Sequence, residues 1–123
     1  MESRRRSRQT VNTKSHQMAE IKHKLGLMLS TPPDHPNLPV LAGLARAALS
    51  RGDSVYLYLI DEGVRALDDL RIQELARGGV KLFACAYGAK KHHLPTDNPL
   101  ATYCGLVVLN DLIDGCDRFL AFN

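Results

Sequence analysis

Three side chains in this sequence could act as sulfur nucleophiles: Cys85, Cys104 and Cys116. Cys85 has the most suitable surroundings. It follows the apolar run Val80-Lys81-Leu82-Phe83-Ala84, which reads as a strand. The residues after it read as a helical turn or two, whose first amides favour a thiolate. Lys90, Lys91, His92 and His93 then add positive potential. A thiolate is the form that attacks sulfur or carries a sulfane atom. The competing reading is a buried, inert thiol, because free cysteine is among the most buried residue types. The pattern alone leaves the two readings balanced. Cys104 and Cys116 read as core fillers, with a resolving role for Cys85 left open.

Other chemistries find less support. His92 and His93 are adjacent, so on a helix they point about 100° apart and do not easily share a metal. No cysteine pair or zinc-type spacing is present. Asp61 and Glu62 could form an acid/base pair; the preferred reading has Asp61 capping a helix and Glu62 favouring its positive end. No G-x-G-x-x-G, P-loop or G-x-S-x-G occurs, and the first loop, Ser30-Thr31-Pro32-Pro33, is poor in glycine. Neither a cofactor nor a metal is expected.

The elements that must position Cys85 can be read from hydrophobic patterning. Leu25 to Leu29 is a short apolar run that stops at Ser30-Thr31-Pro32-Pro33, a buried strand and its loop. Leu41, Leu44, Ala45 and Ala48 share one face of a helix from about Leu38 to Arg51, with Gly52 where a C-terminal cap belongs. Val55 to Ile60 is apolar throughout, as a central parallel strand should be, and ends in Asp61-Glu62-Gly63. A short helix is expected over Val64–Leu67, then one from Leu70 to Arg77 capped by Asp68 or Asp69. A helix is expected over Thr102–Asp114 and a last strand over Asp117–Phe122. The order β-α-β-α-β-α-β implies an α/β fold of three α/β/α layers, flavodoxin-like, with a mostly parallel sheet of four to five strands covered on both faces. Sites in such sheets gather beyond the carboxyl ends of the strands. Those ends carry Ser30 and Thr31, Asp61, and Cys85. With Lys90, Lys91 and His92 they form the expected site rim.

Size and charge agree with this reading. The 123 residues, 45% hydrophobic and 24% charged, suit one domain with a core that needs no disulfide staples. An odd cysteine count argues for a reducing compartment, here the cytoplasm. No apolar run approaches the roughly 20 residues of a membrane span, and no secretory signal is evident. The formal charge of +3 is uneven. Residues 1–24 hold seven Lys/Arg against two acids, whereas the rest holds nine bases against eleven acids. Residues 1–23 are therefore expected to be a disordered basic tail, and 24–123 one domain. A nucleic-acid contact is not expected except through that tail. A transit peptide, or an extension of a chain starting at Met18, are further readings of the same segment.

Four segments together resemble the DsrE/DsrF-like family, and within it the sulfur-relay subunits of TusD type. They are Ala47-Ala48-Leu49-Ser50-Arg51-Gly52-Asp53-Ser54-Val55 after the first helix, Asp61-Glu62-Gly63-Val64 after the second strand, Gly79 to Ala86 around Cys85, and Gly105-Leu106 with Cys116-Asp117-Arg118-Phe119-Leu120-Ala121-Phe122 at the end. Where TusD-type members have paired arginines, this chain keeps the charge as Lys90-Lys91-His92-His93. The resemblance implies a persulfide carried on the cysteine that ends the third strand, which is Cys85. It further implies homo-oligomers, often trimers or hexamers, or hetero-oligomers with related subunits. A small sulfur-carrier protein or other thiol is the implied partner. The alternative is a non-catalytic oligomeric module in which Cys85 is inert.

Overall fold

A computed structural model describes residues 22–123. The expected basic tail, all but its last two residues, lies outside the described residues. The chain runs β1 (Lys24–Leu29), α1 (Asn37–Ser50), β2 (Ser54–Leu59), a 3₁₀ segment (Asp61–Ala66), α2 (Leu70–Arg77), β3 (Lys81–Cys85), α3 (Ala86–Lys91), β4 (Ala101–Cys104), α4 (Leu106–Gly115) and β5 (Arg118–Phe122). The five strands form one sheet in the order β4-β3-β2-β1-β5, and every pairing is parallel.

Parallel neighbours require crossover connections, and these are right-handed almost without exception. The steps from β1 to β4 all move the same way across the sheet. Their connections therefore share one face, where α1 packs on β1, β2 and α2. The step from β4 to β5 moves back past β1 and carries α4 to the other face, against β1 and β5.

Strand residues alternate between these faces. Leu25, Leu27, Leu29, Val55, Leu57, Leu59, Leu82 and Ala84 point toward α1 and α2 and are buried. They meet Leu38, Leu41, Ala42, Ala45 and Ala48 of α1 and Ile72 and Leu75 of α2. The helix ends follow local chemistry. Asp69 caps α2 by accepting the Arg71 amide at 2.9 Å. Gly52 follows α1 at φ +87°, a left-handed conformation that favours glycine.

Two expectations need correction. Thr102–Asp114 is not one helix: Ala101–Cys104 is a fifth strand and the helix starts at Leu106. Pairing with β3 stabilises these four residues as the sheet's edge, which outweighs the helical spacing of the apolar residues that follow. Asp61 caps no helix either. It lies inside the 3₁₀ segment at φ +52°, and that segment has no side-chain cap. In addition, the two faces are unequally covered. Among the described residues only α4 lies over the second face, and it has no fully buried residue.

Candidate functional site

β3 ends at Cys85, whose backbone is still extended where α3 begins. The Cys85 side chain turns back on that first turn, and the Gly88 amide donates to its Sγ at 3.4 Å. The contact fixes the direction of the Cys85 side chain and gives its sulfur a hydrogen-bond donor. A Cβ at Gly88 would lie tightly against Val64, at 3.2 Å, and at ordinary contact distance, 3.6 Å, from the Cβ of Cys85.

Cys85 is only 6% exposed, and its open edge lines a cavity of about 360 Å³. The remaining wall comes from Ile60, Asp61 and Glu62 after β2, Tyr87, Gly88, Lys91 and His92 of α3 and its end, and Gly105 and Leu106 at the start of α4. Tyr87 is 75% exposed and stands at the mouth. Gly63 holds the β2 side of this wall in place. A Cβ at Gly63 would meet the Leu29 carbonyl oxygen at 2.0 Å, so only glycine lets the 3₁₀ segment sit against the end of β1.

The charges at the mouth are organised around Glu62. Its carboxylate accepts from Arg65 at 2.8 Å and lies 3.3 Å from His92 Nε2. The Arg65 hydrogen bond, with His92 and Lys91 nearby, holds the Glu62 carboxyl below its usual range. Among the described residues, no group of three His, Cys, Asp or Glu side chains is arranged to hold a metal.

Of the expected rim, Asp61, Lys91 and His92 line the cavity with Cys85. Ser30 and Thr31 do not. They follow β1, two strands from β3, where the Ser30 hydroxyl donates to Asn123 at 2.9 Å and Thr31 accepts from Asn37 at 3.2 Å. Lys90 is exposed on α3 and is not part of the wall.

Sequence reasoning missed Tyr58 and misplaced Cys104. The Tyr58 side chain is fully buried, and its hydroxyl donates to the Gly105 carbonyl at 3.0 Å. Burial, then the neighbouring Cys104 and Cys85, push its phenol far above the usual tyrosine range. Cys104 ends β4 as the register partner of Cys85. Burial pushes its thiol up, partly offset by a hydrogen bond with Tyr58. No sequence signal could have paired the two cysteines, since β4 itself was read as helix. Cys116 lies elsewhere, near Gly26 and before β5, and burial raises its thiol too.

The family model of the DsrE/DsrF-like family matches residues 23–122. Among curated proteins none matches the chain. Among solved structures, the crystal structure of the ychN protein from E. coli is similar, with a TM-score of 0.69 at 17% identity, covering 83% of this chain and all of that one. At that identity the likeness concerns the fold alone. The cysteine, its cavity and the five parallel strands thus sit within a chain that belongs to the DsrE/DsrF-like family.

Proposed function

We propose that this protein is an intracellular sulfur-relay component that carries sulfane sulfur as a persulfide on Cys85. The observation that carries the reading is the placement of Cys85: at the carboxyl end of a central parallel strand, on a cavity wall, with the Gly88 amide on its sulfur. The family's link to sulfur relay supports it. In the proposed cycle the Cys85 thiolate attacks a sulfane sulfur of a donor. One S–S bond forms, the donor's S–S bond breaks, and the shortened donor leaves as an anion. An acceptor thiolate then takes the outer sulfur and Cys85 leaves as thiolate. Lys91 and His92 at the mouth favour the anionic forms electrostatically. Lys90 contributes only to the wider positive field, and Ser30 and Thr31 take no part.

The acceptor is proposed to be a thiol on a small sulfur-carrier protein. The TusD-like assignment rests on the sequence resemblance, and the reducing cytoplasm on three free cysteines. Among the described residues no helix is long and apolar enough to cross a membrane.

Association of copies is part of this reading. The outer side of α4 presents Leu106, Val107 and Ile113 at 60%, 75% and 46% exposure beside Leu109. Contiguous apolar surface of this kind marks contact sites. Leu106 belongs both to this patch and to the cavity wall. A neighbouring copy seated on α4 therefore borders the cysteine.

Mass spectrometry after incubation with a sulfane donor tests the carrier. One added sulfur atom on Cys85, absent in Cys85→Ser and removed by an acceptor thiol, is the expected outcome. An unmodified Cys85 in folded protein favours the second reading, an oligomeric module with an inert cysteine, for which the low exposure of Cys85 is the supporting observation.

A further inference from the structure

Cys85 and Cys104 occupy the last positions of adjacent parallel strands and are direct register partners. Such partners project from the same face of the sheet, with backbones about 4.8 Å apart. Tyr58 shares that face. Its register partner is Phe83, two residues before Cys85, and its hydroxyl lies at the Gly105 carbonyl immediately beyond Cys104. Two thiols and a buried phenol thus meet where the cavity wall is made by Cys85 and Gly105. Both cysteines are free.

We propose, building on the carrier reading, that Cys104 is a second sulfur station, which receives the outer sulfur from the Cys85 persulfide and presents it at the edge of the sheet.

The step balances without an oxidant. The Cys104 sulfur, losing its proton, attacks the outer sulfur of the Cys85 persulfide. A new S–S bond forms on Cys104, the old one breaks, and its electron pair stays on Cys85 Sγ. The proton given up by Cys104 ends on the departing Cys85 thiolate. The Tyr58 hydroxyl, whose hydrogen goes to Gly105, is a polar neighbour of both thiols and takes up no proton itself.

Geometry favours transfer over a disulfide. Side chains on parallel neighbours stand side by side, so their Cβ atoms stay about as far apart as the backbones, beyond the roughly 4.5 Å that a direct S–S bridge tolerates. A persulfide extends the reach of Cys85 by one S–S bond, about 2 Å. Direction follows from the surroundings. The Gly88 amide already donates to Cys85 Sγ, where the electron pair of the broken bond comes to rest, while burial raises the Cys104 thiol and makes it a poor leaving group. Sulfur therefore settles on Cys104. Cys104 is also the more accessible of the two, on the edge strand β4, so donor and acceptor can approach different places.

The test is a single-turnover time course with one equivalent of inorganic polysulfide, alkylation at intervals, and peptide mass spectrometry of all three cysteines. The expected result is sulfur first on Cys85, then on Cys104 with a matching loss from Cys85, while Cys116 stays unloaded. In Cys85→Ser, Cys104 should load about tenfold or more slowly, since its direct route lacks the relay. In Cys104→Ala the sulfur should remain on Cys85. Tyr58→Phe, which removes the hydrogen bond that lowers the Cys104 thiol, should slow the transfer step and move its pH profile upward, which a packing defect alone does not do. Loaded Cys85 with Cys104 never loaded overturns the relay and leaves the carrier standing. Equal loading of Cys104 in wild type and Cys85→Ser overturns it as well. No sulfur on either Cys85 or Cys104 at any time in wild type overturns the carrier reading itself and the relay with it. The wild-type time course decides between these outcomes without depending on how any variant folds.

Discussion

The two faces of the sheet are built from different chemistry. Toward α1 and α2 the strands present Leu25, Leu27, Leu29, Val55, Leu57, Leu59 and Leu82, all buried among aliphatic helix residues. Toward α4 they present Gly26, Met28, Tyr56, Tyr58, Phe83, Cys85 and Cys104, a mixture of glycine, aromatics and sulfur. Among the described residues, α1 and α2 pack over the first face, and α4, with no fully buried residue, lies over the second. The close-packed face accounts for most of the hydrophobic stabilisation, because that scales with apolar area removed from water. The looser face retains polar atoms, a cavity and, among the described residues, an exposed apolar helix side. The site thus lies where packing is least complete, beside a face that can hold the fold without it.

The sharpest way to break this contrast is to cut into the packed face. Leu57→Ala should cost about 2–5 kcal/mol, as buried leucine truncations do. Urea unfolding gives the number, and a loss below 1 kcal/mol contradicts the division. A smaller effect on stability, with a large one on association, is expected from Val107→Asp combined with Ile113→Asp. These exposed positions should change monomer stability by only about 0.5 kcal/mol each. Sedimentation should show wild type associated and the variant shifted to monomer; a monomeric wild type removes the proposed α4 contact. The smallest effect is a pH dependence. Tyr58, Cys104 and Cys116 all have raised proton affinities in the fold. Their neutral forms are favoured there, so this stability is complete below the unfolded cysteine value, near pH 8.5, and is lost as pH rises above it. The urea midpoint should fall between pH 8.5 and 10, and replacing Cys104 and Cys116 by serine should flatten the decline. A midpoint constant to pH 10 contradicts it.

Much of the packed face was legible in the sequence. Leu41, Ala45 and Ala48 recur at helical spacing, and Val55 to Ile60 reads as a doubly buried strand, because burial there is set by local periodicity. The looser face was not. Ala101–Cys104 is too short to show a period, and it forms a strand only because β3 offers an edge. The approach of Cys104 to Cys85 depends on that register, which no local pattern encodes. Asp61, Lys91 and His92 could be placed by the strand-end rule. Ser30 and Thr31 satisfy the same rule yet lie away from this cavity, since the rule names every strand end and does not give the distance between them.

The pairing of β1 also governs how the sheet is made during synthesis. β1 is flanked by β2 and β5, and the Lys24 amide bonds Asp117 across 93 residues of sequence. While β5 is still to be made, β1 is an open edge whose backbone groups can pair with any passing strand. Among the described strands the first made, β1, waits for the last made, β5, so nascent chains stay open to mispairing until β5 docks.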